Sequence, residues 1–146
     1  MTDMEQNKGT LPTVGALAYL GDARHSLYVR NMLVRRGLCK SGDLNRASLD
    51  YVTAERQAEM LERIYSLLTE EERAVYRRAS NSKHLNKPKH ASGSDYRAAT
   101  GFEAVVGMLY WRGEEERITL LLDAAHLQNA IVENDLNGDI KNDSEN

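Results

Sequence analysis

The sequence predicts an all-α fold, and three observations carry that prediction. Long stretches rich in Ala, Leu, Glu and Arg fill the chain, only two prolines interrupt it, and β-branched residues rarely run together. At 146 residues there is room for one compact domain with a true core, and not for two large ones. No run reaches the roughly 18 apolar residues of a membrane span. The opening "MTDMEQNKGTLPT" lacks the basic-then-apolar order of a secretory signal. One cysteine, Cys39, excludes an internal disulfide framework and any multi-cysteine zinc site. It fits a reducing cytosol, so a cytoplasmic location and no membrane partner are expected.

The elements follow in order. Residues 1–11 are expected to be disordered. A first helix begins at Pro12 and Thr13, runs to about Arg36 and stops at Gly37. "SGDLNRASLDYVTAERQAEMLERIYSLLT" holds a short helix after Asp43 and then a longer one, with Ala58, Leu61, Ile64, Tyr65 and Leu68 on one face. Thr69 and Glu72 have capping-box spacing and open the helix "EEERAVYRRAS". "NSKHLNKPKHASGS" is a loop. Ser94 is placed to cap "DYRAATGFEAVVGMLYWR", which Gly113 ends. "EEERITLLLDAAHLQNAIVEN" reads as a final amphipathic helix, with Ile118, Leu121 and Leu122 in the core or between subunits. The domain therefore spans residues 12–133, and an acidic tail, residues 134–146, is expected to be disordered.

Charge is distributed unevenly. Residues 73–97 contain Arg73, Arg77, Arg78, Lys83, Lys87, Lys89 and Arg97 against one acid, Asp95. That segment carries +6 in a chain of net −3, so the remainder carries −9. It is either a surface for a polyanion or a solvated loop. His25, His84, His90 and His126 lack metal-ligand spacing, and no His-Asp dipeptide occurs, which disfavours an HD-type phosphohydrolase.

Two carboxylates stand where hydrophobes are expected. The first helix has two apolar stripes: Ala16, Leu20, Ala23, Leu27 and Val34, and then Val14, Ala18, Val29 and Leu33. Asp22 falls within the second, so the helix is expected to be central, packed on both sides, with Asp22 buried. A buried carboxylate needs an arginine, a ring of donors, a raised pKa or a metal. Gly21 beside it lets another backbone approach. In the helix after the basic loop, Ala98, Ala99, Phe102, Val105, Val106, Leu109 and Tyr110 make a core stripe. Glu103 stands at its edge, in line with Thr100 and Gly107. Two acids on two helices in low-bulk surroundings suit Mg²⁺, which takes a few carboxylates and keeps several waters. With phosphates bound by the basic loop beside them, metal-assisted phosphodiester chemistry is the expectation.

"YLGDA" at 19–23 resembles the signature of ribonuclease III catalytic domains, and "TGFEAVVGMLY" at 100–110 resembles their second acidic motif. "ALAYLGDA", "YVTAERQAEML", "RRASNSK" with a following "PK", and "YRAATGFEAVVG" together resemble the Mini-III subgroup, in order, over roughly residues 12–128. The resemblance implies an all-α endonuclease fold, a homodimer, and Mg²⁺-dependent cleavage of double-stranded RNA to 5′-phosphate and 3′-hydroxyl ends. It further implies maturation of 23S ribosomal RNA from its precursor, with a ribosomal protein as a candidate to present the substrate. Carried over, Asp22 and Glu103 are the catalytic residues and metal ligands, and Tyr19 is a subunit contact.

Larger members place further acids where this chain has Gly15, Ala18 and Thr100, a reduction to two ligands that the Mini-III subgroup shares. The 33 residues after Gly113 are too few for their separate RNA-binding domain, so Arg77, Arg78, Asn81, Lys83, Lys87, Lys89 and Arg97 are the expected RNA contacts. The rival expectation is a catalytically silent RNA-binding or ribosome-assembly module on the same fold. Retention of both acids favours the enzyme over that rival. A different Mg²⁺ phosphohydrolase acting on nucleotides would leave the basic loop without a role.

Overall fold

A computed structural model describes residues 9–82 and 92–128, and these form six α-helices and one 3₁₀ turn. They are α1 (Val14–Arg35), α2 (Ser41–Val52), α3 (Ala54–Ile64), the turn Tyr65–Leu67, α4 (Glu70–Ser80), α5 (Gly93–Trp111) and α6 (Glu115–Ala125). The expectations for residues 1–8, for Lys83, Lys87 and Lys89, and for the tail lie outside the described residues.

The all-α expectation holds, but the central helix is α5 rather than α1. From Ala99 to Leu109 every residue of α5 is buried except Glu103, which is half-buried. Helices α1, α3, α4 and α6 all pack on it. The core joins Phe102, Val105 and Leu109 of α5 to Leu17, Met60, Ile64, Val75, Ile118, Leu121 and Leu122. Each such side chain contributes about 1.5–3 kcal/mol by leaving water. Ile118, Leu121 and Leu122 are therefore core. Tyr110, expected in the stripe, is 45% exposed.

Helix α1 is packed on one side, not two. It buries Leu17, Gly21, His25, Val29, Met32 and Leu33. The stripe Ala16, Leu20, Ala23, Leu27 and Val34 faces outward, with Leu27 at 52% and Val34 at 57% exposure. Thr13 caps α1 by accepting the Ala16 N–H, and Gly37 follows its end with φ 99°.

Several boundaries shift for local reasons. Helices α2 and α3 are of near-equal length, 12 and 11 residues, because Thr53 takes an extended conformation and caps α3 by accepting the Arg56 N–H. On α3 the buried face is Gln57, Met60, Leu61 and Ile64, with Ala58 only half-buried; beyond its end Leu68 is buried while the 3₁₀ turn leaves Tyr65 exposed. Ser92, not Ser94, caps α5, since its hydroxyl accepts the Asp95 N–H at 3.1 Å. The Thr69–Glu72 capping box forms as expected, and Arg117 pairs with the buried Glu72 at 2.7 Å. Helix α6 ends at Ala125 where the sequence predicts one continuous helix to Asn134; a turn at His126 and Leu127 breaks it, Gln128 is helical again, and residues 129–134 lie outside the described residues. His126 turns into the core there, Leu127 takes φ 57°, and Arg63 donates to the Ala125 carbonyl at 2.9 Å.

Candidate active site

Helices α1 and α5 meet backbone to backbone. A Cβ on Gly21 would overlap the Glu103 carbonyl and lie 2.8 Å from the Gly107 nitrogen. A Cβ on Gly107 would overlap the Leu17 carbonyl and lie 2.6 Å from its carbon. Each glycine costs a helix roughly 1 kcal/mol relative to alanine, and the pair together allows a crossing no side chain would permit.

That crossing brings Asp22 and Glu103 together. Burial, first, and then the neighbouring Asp22 charge push the Glu103 carboxyl up to about 8; when protonated it hydrogen-bonds to Asp22. Asp22 itself is exposed, which corrects the expected burial. It lies at the lip of the α1–α5 seam, so one carboxylate of the pair faces solvent and the other is withdrawn from it. Among the described residues neither acid is in a salt bridge, so the ion-pair alternative for Asp22 finds no partner there.

Among the described residues no third acid joins them. The Thr100 hydroxyl donates to the Tyr96 carbonyl at 2.9 Å, one turn back on its own helix. Among the described residues no group of three His, Cys, Asp or Glu side chains converges as a metal cage. The structure thus offers two carboxylates on one open rim, a donor set that suits a hard divalent cation completed by waters.

The other candidate residues divide by position. Arg77 and Arg78 are exposed on α4, Asn81 is exposed at its end, and Arg97 is exposed near the start of α5. Tyr76 packs its ring on Gly101, holding α4 against α5 so that these four residues share the end where the basic loop connects the two helices. Tyr19 projects from α1 with 80% of its surface exposed.

One polar cluster escaped the sequence. His25 of α1 and His126 at the end of α6 place their Nε2 atoms 2.9 Å apart, and Gln57 Nε2 lies 3.4 Å from His25 Nδ1. Both rings are sealed in, at 0% and 8% exposure. Burial is the main reason their pKa values fall to about 3 and about 4. The buried phase of His25, one turn after Gly21, was readable; its partner 101 residues away was not.

The ribonuclease III domain pattern matches residues 15–114, which include both acids, both crossing glycines and Tyr19. The chain belongs to the ribonuclease III family. A relative from Symbiobacterium thermophilum named Mini-ribonuclease 3 is 46% identical over 119 residues, covering 82% of this chain and 91% of the relative. Another Mini-ribonuclease 3, from Brevibacillus brevis, is 44% identical over 117 residues, covering 80% and 85%. A solved structure from Fusobacterium nucleatum superposes with a TM-score of 0.68 at 31% identity, covering 73% of this chain and 87% of that one. The protein is thus an endoribonuclease of double-stranded RNA. Among the described residues no helix is long and apolar enough to cross a membrane.

Proposed function

We propose that Asp22 and Glu103 are the catalytic pair and together hold Mg²⁺. The observation that carries this is their meeting at the glycine crossing, where two carboxylates share a rim with no cationic partner among the described residues. The exposed Asp22 presents its oxygens to incoming substrate. Glu103 is fixed by the buried helix that bears it, so the pair is oriented before RNA arrives. When bound, Mg²⁺ supplies charge neutralisation at the scissile phosphate and a water acidic enough to attack, leaving 5′-phosphate and 3′-hydroxyl ends. Arg77, Arg78, Asn81 and Arg97, with Lys83, Lys87 and Lys89 of the loop, hold the duplex by its phosphates.

The test is cleavage of long double-stranded RNA with and without Mg²⁺, by the natural protein and by Asp22→Asn and Glu103→Gln. Either substitution lowers the rate about a thousand-fold, a loss of several kcal/mol of transition-state stabilisation, while RNA retention on a filter is unchanged. Undiminished cleavage by both variants removes the assignment. RNA retention without cleavage under any metal makes the protein a binding module.

The enzyme works as a homodimer joined along α1. Its outward stripe Ala16, Leu20, Ala23, Leu27 and Val34, with Tyr19 beside it, is an apolar face along α1 interrupted by Arg30 and Asn31 in the turn before Val34. Scattered single hydrophobes are ordinary on a surface, whereas several exposed along one helix face favour an interface. Leu27→Glu should shift sedimentation from dimer to monomer at micromolar protein; a dimer that persists places the interface elsewhere. In the cell, the substrate is the duplex flanking 23S ribosomal RNA in its cytoplasmic precursor, with a ribosomal protein presenting it. The support is the Mini-ribonuclease 3 resemblance, and mapping the 23S ends in cells lacking the protein tests it.

A further inference from the structure

The groove between α1 and α6 holds an open cavity of about 500 Å³ whose lining includes three arginines, Arg24, Arg35 and Arg36. Like charges gathered at one site repel unless an anion joins them, and planar guanidiniums match phosphate oxygens in pairs. The three are only partly occupied. Arg24 is drawn in, with 14% of its side chain exposed, and spends Nε and one terminal nitrogen on a single Glu115 oxygen, at 3.3 and 2.8 Å. Arg36 reaches the Tyr51 hydroxyl at the long distance of 3.5 Å. Among the described residues Arg35 makes no side-chain hydrogen bond or salt bridge, and Asn31 is a further polar residue of the lining.

The opposite wall has the other sign. Asp123 of α6 lines the cavity, and its Oδ1 accepts the Tyr28 hydroxyl at 2.6 Å. That bond fixes the carboxylate and leaves Oδ2 as an acceptor. A simple anion would satisfy the arginines and be repelled by Asp123. A ligand with phosphate at one end and N–H donors at the other satisfies both walls, and a nucleotide has that arrangement; a guanine edge, with two adjacent N–H donors, fits a carboxylate best.

The cavity is separate from the cleavage site. Arg24 follows Asp22 by two residues, which turns it about 200° around the helix. Arg35 lies three further turns along nearly the same line.

We propose that this cavity binds a mononucleotide, its phosphate held by Arg24, Arg35 and Arg36 and its base edge by Asp123. The proposal stands apart from the catalytic assignment, since it uses neither carboxylate of that pair.

Isothermal titration of the full chain in EDTA, with guanosine monophosphate, adenosine monophosphate and inorganic phosphate as probes, tests it. Guanosine monophosphate should bind more tightly than adenosine monophosphate, and equally well to Asp22→Asn. Joint Arg35→Ala and Arg36→Ala should weaken both guanosine monophosphate and inorganic phosphate at least about tenfold. Arg35→Ala alone, at an exposed position, should move both in the same direction and covers the case in which the double variant fails to fold. Asp123→Asn should weaken the nucleotide and leave inorganic phosphate unchanged or tighter. No binding of any probe overturns the proposal. So does binding that the arginine variants leave intact, binding lost in Asp22→Asn, or displacement of the nucleotide by duplex RNA.

Discussion

Two pairs of like titratable groups each join α1 to another helix, one pair acidic and one of imidazoles, and they differ in access. Asp22 with Glu103 is open on one side; His25 with His126 is closed on all sides. In both, burial moves a pKa away from the charged form: the Glu103 carboxyl rises to about 8, and the two imidazoles fall to about 3 and about 4. The carboxylates share a solvent-facing rim, and on the proposed assignment their mutual repulsion is relieved by a bound cation. The histidines have no such access, and their bond to each other joins α1 to the end of α6. Unusual protonation therefore marks both pairs, and only access separates a site from a clamp.

The comparison breaks most severely at Gly21. Gly21→Ala places a methyl group on the Glu103 carbonyl, so the helices must separate. Activity should fall about a hundred-fold from the misplaced acids, and stability by about 3 kcal/mol. Single-turnover cleavage and urea unfolding measure the two; a variant normal in both would mean the crossing is looser than the geometry requires. His25→Leu should do the reverse. It leaves His126 Nε2 buried without its partner and costs about 2 kcal/mol of stability, while cleavage per folded molecule stays unchanged. A large loss of cleavage there would join the two pairs into one functional unit.

The smallest effect is on acid tolerance. The imidazoles take up protons near 6.5 in the unfolded chain but only near 4 and 3 in the folded one. Their contribution to stability is therefore complete above pH 6.5 and drains away as pH falls from there towards 4 and 3. Each unit of separation is worth about 1.4 kcal/mol. Melting temperatures across that window should drop for the natural protein and flatten for the joint His25→Leu, His126→Leu variant. Parallel profiles would assign the acid sensitivity to other groups.

Much of the candidate site is legible in the sequence because it is written locally. Gly21 and Asp22 break the pattern of one helix, Glu103 breaks the pattern of another, and the Thr69–Glu72 cap lies within four residues. What could not be read depends on what lies across a gap. Apolar periodicity locates both stripes of α1, yet it does not say whether a stripe meets its own chain or another molecule, so it predicts core for the face of Ala16 to Val34 that the structure turns outward. Ser92 and Ser94 are equivalent as caps until one hydroxyl reaches an N–H. The early end of α6 follows from His126 turning inward, a contact spanning 101 residues that no local pattern announces.

The crossing of Gly21 and Gly107 bears on how this protein tolerates change. The gap between the two helices that carry the carboxylates is set by main chain against main chain, with no intervening side chain whose volume could drift. Substitutions that swell or shrink the surrounding core alter what lies around that joint, not its length. The core is thereby free to vary in composition and in response to temperature while the two backbones that bear the acids keep their spacing.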